Sequence, residues 1–253
     1  MRMPVLFVGH GSPMNAVEDN VWIREWERLG RELPHPKVIL AISAHWFTRG
    51  TRVNDAEQPR MVYDMYGFPD ELYQVRYPSP GAPELAESVR KLVGAEVQTD
   101  NAWGIDHGTW SVLCRMFPDA DIPLTQLSVE QTMTSADRVR IGRALSPLRE
   151  QGVLLVCSGN VVHNLRMVAW DREGGFPWAD DFDAYIRDAV LAGRQQKVMD
   201  YAKHPSARLA VPTIDHYAPL LYALGAADKD TATVFNDART LGGLSMTGFA
   251  FGL

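Results

Sequence analysis

Histidines are the residues of this sequence whose type and placement best suit chemistry. Three of the seven follow apolar runs: His10 ends VLFVGH, His45 ends VILAISAH, and His163 lies just beyond VLLVCSG. Such runs predict buried strands, and the carboxyl ends of strands in open α/β sheets meet at the edge where ligands bind. Neutral imidazole is the commonest metal ligand in proteins. A single buried histidine usually only satisfies one hydrogen bond, but three at one sheet edge predict a metal site.

Two further histidines lie in motifs that suit the same site. His216 stands in IDHYAP, where Asp215 is expected to cap a helix that begins near residue 217. His107 stands in IDHG, and the preceding Asp106 either orients the imidazole or forms a turn. A site of imidazoles without thiolates suits iron, zinc, copper or nickel.

Motifs of several other enzyme classes are missing. No G-x-S-x-G elbow surrounds Ser12, Ser43 or Ser158, which disfavours a serine hydrolase. The sequence has no G-x-G-x-x-G and no H-E-x-x-H, which disfavours a Rossmann nucleotide site and a zincin protease.

Composition narrows the class of protein. The net charge of −6 disfavours a nucleic-acid backbone as partner, since such binders need a dense basic face. Cys114 and Cys157 both lie in apolar runs and are expected to be buried free thiols. The apolar run at the N-terminus is too short for a signal peptide, and no stretch reaches membrane length, so we expect a cytoplasmic protein without a membrane partner.

Strand and helix patterns alternate along the chain. The predicted strands are Val5–Val8, Val38–Ser43, Ile122–Ser128, Val153–Ser158, Thr233–Phe235 and Ser245–Phe251. The predicted helices are Asn20–Arg31, Pro83–Lys91, Ser135–Glu150, Phe182–Lys203 and Ala218–Leu224. Thr51–Pro80, rich in Pro, Gly, Tyr and Asp, is expected to be an extended functional loop. The pattern predicts an α/β fold: a single domain, residues 1–253, with a central, mostly parallel sheet flanked by helices.

Seven segments, in this order, resemble the class III extradiol dioxygenases, and in particular their DOPA 4,5-dioxygenase branch. They are GHGSPMN (9–15), SAHWF (43–47), GFP (67–69), YPSPG (77–81), WGIDHGTW (103–110), SGNVVHNL (158–165) and DHYAPLLYALGA (215–226). The resemblance covers essentially the whole chain, and the combination of GHGSPMN, SAHWF and SGNVVHNL is specific.

The resemblance implies a set of roles for the histidines. His10, His45 and His216 would bind a non-heme divalent metal, and His163 would be either a further metal ligand or the catalytic acid/base. His107 would act on the substrate as a second catalytic residue. In the related protocatechuate dioxygenases one ligand is a glutamate, where this sequence offers His216. Neutral ligands suit zinc as well as iron, so the resident metal stays open, with iron(II) expected for activity.

The expected activity is the opening of a catechol-type, DOPA-like ring with O2 to give a semialdehyde. Loop aromatics could wall such a flat substrate, and we expect Ser12, Trp46, Phe68 and Tyr217 to contact it. Two alternatives stay open, a zinc-dependent hydrolase and a non-catalytic protein that binds a metal or a small molecule. The sequence determines neither which catechol is used nor the oligomeric state.

Overall fold

The computed structural model describes residues 2–94 and 96–253, and its centre is an eight-stranded sheet. The strands are Val5–Gly9 (β1), Val38–Thr48 (β2), Arg52–Val53 (β3), Gln98–Thr99 (β4), Leu124–Glu130 (β5), Val153–Gly159 (β6), Ala232–Phe235 (β7), Arg239–Thr240 (β8), Leu244–Ser245 (β9) and Gly248–Phe251 (β10). The helices are Val21–Glu32 (α1), Asp70–Gln74 (α2), Pro83–Val93 (α3), His107–Met116 (α4), Ser135–Leu145 (α5), Pro177–Leu191 (α6), Gln195–Met199 (α7), Ala207–Ala210 (α8) and Ala218–Ala227 (α9).

The middle of the sheet is parallel. Its strand order is β4-β3-β5-β2-β6-β1-β10-β7, and the pairs β5–β2, β2–β6 and β6–β1 all run in the same direction. β10 and β7 are added antiparallel at one side, while β8 and β9 form a separate hairpin-like pair. The predicted α/β class with a mostly parallel sheet is confirmed. The carboxyl ends of β5, β2, β6 and β1 therefore meet at one edge.

Helices cover both faces of the sheet because alternate residues of each strand point to opposite faces. In β1, Val5 and Phe7 belong to the core cluster that contains α5 and α9, whereas Leu6 and Val8 belong to the cluster that contains α1 and α4. All five residues of β1 are buried, and so are all seven of β6. Burial on both faces explains why these strands are apolar at successive positions.

The helices on one face cross closely at two glycines. A Cβ on Gly142 of α5 would lie 2.0 Å from the Tyr222 carbonyl oxygen, and a Cβ on Gly225 of α9 would lie 2.1 Å from the Val139 carbonyl oxygen. Only glycine permits this approach of the two backbones. The crossing fixes the position of α9. Because α9 begins at Ala218, its position constrains the preceding loop, which carries His216.

Several predicted boundaries were wrong, each for a local reason. The stretch 182–203 is two helices and a 3-10 turn, because Gly193 adopts a left-handed conformation (φ 63°) after α6. The α-helix predicted to reach residue 150 ends at Leu145 and continues as a 3-10 helix that contains Pro147, which has no backbone N–H to donate. The segment 245–251 is divided between β9 and β10.

Helix α4 was not predicted at all, and the segment 51–80 was predicted as loop throughout. Most of α4 is buried, so its sequence lacks the alternation of polar and apolar residues that marks a surface helix. The segment 51–80 is mainly irregular but contains β3 and α2. In the described residues, none of the helices combines the length and the hydropathy needed to cross a bilayer.

We expect Gly225→Ala to destabilise the fold. The added methyl group would force α9 away from α5, and overpacking of this kind costs about 1–3 kcal/mol, more than the roughly 1 kcal/mol that alanine gains from its helix propensity. The measurement is the free energy of unfolding in urea. Arg143→Ala, an exposed position on α5, is the control and should change stability by less than about 0.5 kcal/mol. Equal stability of the two variants would contradict the role assigned to the glycine crossing.

Candidate metal centre

The first histidine continues β1 at its carboxyl end. The backbone N–H of His10 donates to the Gly159 carbonyl at 3.1 Å, and the His10 carbonyl accepts from the Asn15 side chain at 3.0 Å. Both backbone groups are thus fixed to neighbouring segments. The His10 side chain is 1% exposed and lies at the edge of the sheet formed by the parallel strands.

A β-bulge delivers the second histidine. β2 pairs with β5 in register up to Ser43 and Ser128, and the pairing resumes at Phe47 and Val129. Residues 44–46 therefore have no counterpart on β5, and a bulge of this kind re-aims the side chains that it contains. His45 lies in this bulge.

The third histidine comes from a loop that docks on the end of β6. The backbone N–H of Asn160 donates to the His216 carbonyl at 2.8 Å. A Cβ on Gly159 would lie 2.2 Å from the same carbonyl oxygen, so glycine is required for the loop to approach. This close contact places the His216 side chain beside the ends of β1 and β2.

The three imidazoles converge. One ligand atom from each of His10, His45 and His216 lies within 4.8 Å of the other two. The Nε2 atoms of His10 and His45 are 3.2 Å apart. The Nε2 atom of His216 is buried and has no hydrogen-bond partner in the described chain.

Each of these rings is anchored through its other nitrogen. His45 Nδ1 lies 2.9 Å from Asp64 Oδ2, and His216 Nδ1 lies 2.5 Å from Asp215 Oδ2. An ionised carboxylate only accepts hydrogen bonds, so both Nδ1 atoms are donors. His10 Nδ1 lies 2.9 Å from Ser158 Oγ, whose own proton is donated to the Gly108 carbonyl, so His10 Nδ1 also donates.

The donor set fits a divalent metal ion. A neutral imidazole that donates through Nδ1 carries its lone pair on Nε2. When His45 is neutral, the Nε2 lone pairs of His10 and His45 face each other at 3.2 Å, and that of His216 is buried without a partner in the described chain. A cation between them would satisfy all three atoms, and nitrogen ligands without thiolates suit iron, zinc, copper or nickel.

His163 lies beside this group, and its ring nitrogens are not among the ligand atoms that lie within 4.8 Å of one another in the described residues. Its ring stacks on that of His216 with centroids 3.5 Å apart and planes 3° from parallel. Its backbone N–H donates to the Ala210 carbonyl at 2.9 Å, and its ring nitrogens make no hydrogen bond within residues 2–94 and 96–253.

His107 is the first residue of α4, and its ring lies 3.9 Å from that of His45, centroid to centroid. Its partner is Asp64, whose Oδ1 accepts from His107 Nδ1 at 2.9 Å and from the His107 backbone N–H at 3.0 Å. The preceding Asp106 does not orient this ring. The buried Asp106 carboxylate instead accepts from Ser43 Oγ at 2.6 Å and from the side chains of Trp103 and Gln126.

Burial sets the protonation of most of these rings. It lowers the pKa of His10 and of His216, and charge on the neighbouring imidazoles would lower both further. Burial also lowers the pKa of His163 to about 4, although Asp215 opposes this shift. These imidazoles are therefore neutral at neutral pH, with lone pairs available.

The pair formed by His45 and Asp64 behaves differently. Burial opposes a charge on His45, but the hydrogen bond to Asp64 and the surrounding carboxylates outweigh it and raise the pKa of His45. Burial by itself would raise the pKa of Asp64, but hydrogen bonds from His107 and His45 lower it far below its usual range. Asp64 is thus an anion that holds two imidazoles.

The predicted substrate contacts have different surroundings. Trp46 lines a cleft of about 520 Å³ that it shares with His45, Trp103 and the exposed Arg49. Ser12 is half-buried and caps a 3-10 helix by accepting from the Met14 backbone N–H.

Two other aromatic residues pack on the core. Phe68 is partly buried against the cluster that contains α1 and α4. Tyr217 is fully buried, its ring lies 4.4 Å from that of Tyr201, centroid to centroid, and its hydroxyl donates to the Val198 carbonyl at 2.8 Å. The structure therefore assigns Tyr217 to the core and does not bring it to the site.

Sequence reasoning missed the two carboxylates that hold the rings. Asp215 was expected to cap the next helix, but its side chain binds His216, and α9 begins without a side-chain cap. Asp64 was not singled out at all. The available signal was a lone acidic residue in the aromatic stretch VYDMYGF, where a solvated carboxylate has no obvious place.

The chain resembles known ring-opening dioxygenases along its whole length. Residues 4–252 match the family described as the catalytic LigB subunit of aromatic ring-opening dioxygenase. A 4,5-DOPA dioxygenase extradiol of Escherichia coli is 45% identical over 99% of this chain and 95% of its own length. That of Beta vulgaris is 38% identical over 89% of this chain and 87% of its own length. The crystal structure of an uncharacterized protein from Escherichia coli K12 superposes with a TM-score of 0.87 at 43% identity, covering 99% of this chain and 100% of that one.

We expect Gly108→Ala to weaken binding of a divalent metal ion. A Cβ there would lie 2.9 Å from His45 Cδ2 and 2.7 Å from Ser43 Oγ, so the His45 ring would have to move. A displaced ligand should lower the affinity for Zn²⁺ by about 10-fold or more, as loss of ring support does elsewhere. The measurement is a competition titration of metal-free protein with a chromophoric chelator.

The matched control is Ser111→Ala on the same helix. The Ser111 hydroxyl is buried without a hydrogen-bond partner in the part of the chain that the structure describes, so its removal should leave Zn²⁺ affinity unchanged. Unchanged affinity in Gly108→Ala as well would mean that the ring of His45 does not depend on this close approach.

Proposed function

The chain belongs to the LigB family of aromatic ring-opening dioxygenases, and on that premise we propose that it opens a DOPA-like catechol with O2 at an iron(II) ion held by His10, His45 and His216. The activity is extradiol: the ring carbon–carbon bond beside the diol breaks, and both oxygen atoms enter a semialdehyde product. The observation that carries the metal assignment is the convergence of three imidazole ligand atoms within 4.8 Å.

The metal would supply two things that side chains lack. A bound iron(II) ion lowers the pKa of a coordinated hydroxyl and exchanges electrons with O2, whereas zinc is redox-inert. We therefore assign iron(II) to the active enzyme and regard zinc as a possible occupant that supports binding alone.

His163 is our choice for the acid/base. Its ring is neutral at neutral pH because burial lowers its pKa to about 4, so its lone pair is available to take the proton of a catechol hydroxyl whose own pKa the metal would lower. It would return a proton later, when the ring has opened. Stacking on His216 keeps the His163 ring within reach of the centre while leaving its nitrogens free.

His107 would hydrogen-bond a substrate hydroxyl. Its Nδ1 donates to Asp64, so Nε2 is the nitrogen left for a bound molecule, and in the neutral ring it accepts a hydrogen bond. A ring held in place by Asp64 would orient the hydroxyl that donates to it.

The substrate would enter through the cleft beside His45. Trp46 and Trp103 line this cleft, and its volume of about 520 Å³ is typical of small-molecule sites. Flat indole faces suit an aromatic ring, and the exposed Arg49 could meet an anionic substituent. Ser12 and Phe68 remain proposed contacts. We further propose that residues 1–253 act as one catalytic domain, since the histidines span residues 10 to 216.

Reconstitution with different metals tests the proposal. We expect metal-free protein loaded anaerobically with iron(II) to consume O2 on addition of a catechol, and zinc-loaded protein to consume none above background. An oxygen electrode measures uptake, and absorbance follows the yellow semialdehyde. Equal uptake with zinc would overturn the mechanism. Catechol binding without uptake in the iron form would favour a binding protein, and hydrolysis by the zinc form would favour a hydrolase.

Two alanine variants separate ligand from acid/base. His10→Ala should lose bound metal and activity together, with a fall in metal affinity of more than about 100-fold, because even partners of ligands contribute 10–100-fold. His163→Ala should keep its metal and lose turnover by about 10²–10⁴-fold, the usual contribution of a general acid/base. Metal content is measured by mass spectrometry and turnover by O2 uptake. Full metal in His10→Ala, or loss of metal in His163→Ala, would refute the respective assignment.

A further inference from the structure

Asp64 lies between two histidines that come from different elements. Its Oδ2 accepts from His45 Nδ1 at 2.9 Å, and its Oδ1 accepts from His107 Nδ1 at 2.9 Å and from the His107 backbone N–H at 3.0 Å. The side chain is 12% exposed. A single carboxylate thus accepts hydrogen bonds from the Nδ1 atoms of both rings. His45 is a proposed metal ligand, and His107 is a proposed substrate-site residue.

This arrangement leaves only one tautomer to each ring. A carboxylate accepts on both oxygens and donates on neither, so both Nδ1 atoms must carry protons. When the rings are neutral, the lone pairs of His45 and His107 are then both on Nε2, the atoms that face away from Asp64. For His45 that atom lies 3.2 Å from His10 Nε2.

We propose that Asp64 is a positioning residue that sets the tautomers of His45 and His107 together, and so makes metal binding at His45 depend on a residue outside the ligand set. This inference rests on the proposed metal site. It goes beyond that proposal because it gives a role to a side chain outside the proposed ligand set of His10, His45 and His216.

The two carboxylate oxygens of Asp64 are not equivalent. The proposal therefore predicts which of the two histidines changes its tautomer when Asp64 is replaced by Asn. Among residues 2–94 and 96–253, Oδ1 accepts from two donors, the ring and the backbone N–H of His107, whereas Oδ2 accepts only from the ring of His45. In Asp64→Asn the amide oxygen must take the Oδ1 side, because an amide NH2 group there would face the backbone N–H, which cannot become an acceptor. The NH2 group then faces His45 Nδ1.

The substitution Asp64→Asn therefore changes the tautomer of His45, the proposed metal ligand. A donor beside Nδ1 forces His45 to accept there and to carry its proton on Nε2. That proton occupies the lone pair that would bind the metal. His107, still opposite an oxygen, keeps its tautomer.

The test compares Zn²⁺ binding by metal-free wild-type protein, Asp64→Asn and a matched control. The control is Asp55→Asn: the Asp55 carboxylate lies in the same segment, accepts on both oxygens from Asn101, Arg90 and Thr99, and touches no histidine. We expect Asp64→Asn to bind Zn²⁺ about 10–100-fold more weakly than wild type, and Asp55→Asn to bind like wild type. Calorimetric titration measures the affinities, and circular dichroism verifies folding.

Long-range ¹H–¹⁵N spectra of the histidine rings supply a readout that a purely structural role would not move. In metal-free wild type with neutral rings, His45 and His107 should both carry their proton on Nδ1, and in metal-free Asp64→Asn only His45 should change to Nε2–H. Unchanged affinity in Asp64→Asn, or a change of tautomer at His107 instead of His45, would overturn the inference. The wild-type spectrum tests the inference even if Asp64→Asn does not fold. A neutral His45 that carries its proton on Nε2 in wild type would also overturn the inference. Failure of wild type to bind Zn²⁺ would instead refute the proposed metal site.

Discussion

The convergence of three imidazole lone pairs at a buried point is the constraint on which the arrangement of this site depends. His10, His45 and His216 each donate through Nδ1, so in the neutral rings the three Nε2 lone pairs converge, and a cation between them would satisfy all three. The protein holds them there through rigid supports. One ring follows a central strand, one lies in a bulge, and one belongs to a loop held by backbone hydrogen bonds at the end of β6.

The charge of a metal ion at this centre would be balanced by carboxylates that hydrogen-bond to the proposed ligands. Neutral ligands leave the full charge of a dication in a buried place, and a buried charge is costly without a nearby countercharge. Asp64 and Asp215 supply that countercharge through the rings that they hold, and the buried Asp106 lies next to His107. Carboxylates would thus act here through the imidazoles that they hold. Three neutral ligands would therefore not leave the charge of the proposed metal uncompensated.

Close backbone approach is the second requirement of this architecture. Gly159 admits the His216 carbonyl, and Gly108 leaves room for the His45 ring over the start of α4. The same helix start presents His107, so one element both makes space for a proposed ligand and contributes a proposed substrate-site residue. Gly108 directly follows His107 in the sequence, and Gly159 lies four residues before His163, so each of these close approaches lies near a histidine of the site.

The sequence by itself determined the α/β class, the central strands and the histidines that follow them. It could do so because strands buried on both faces are apolar at successive positions, as β1 and β6 are, and because parallel strands end at a common edge. The likeness to ring-opening dioxygenases was carried by local motifs, which can also be recognised without a structure. Helix α4 could not be predicted from the sequence, because a helix buried on most sides has no polar face.

Only the tertiary structure decided which groups meet. Asp64 lies 43 residues from His107 in the chain, and nothing local marks it as the shared acceptor of two imidazoles. Tyr217 adjoins His216 in sequence, yet its ring packs in the core and its hydroxyl binds Val198. Hydrogen bonds between distant segments depend on how loops fold back over the sheet, and that geometry is a property of the packed chain that residue types and spacings do not encode locally.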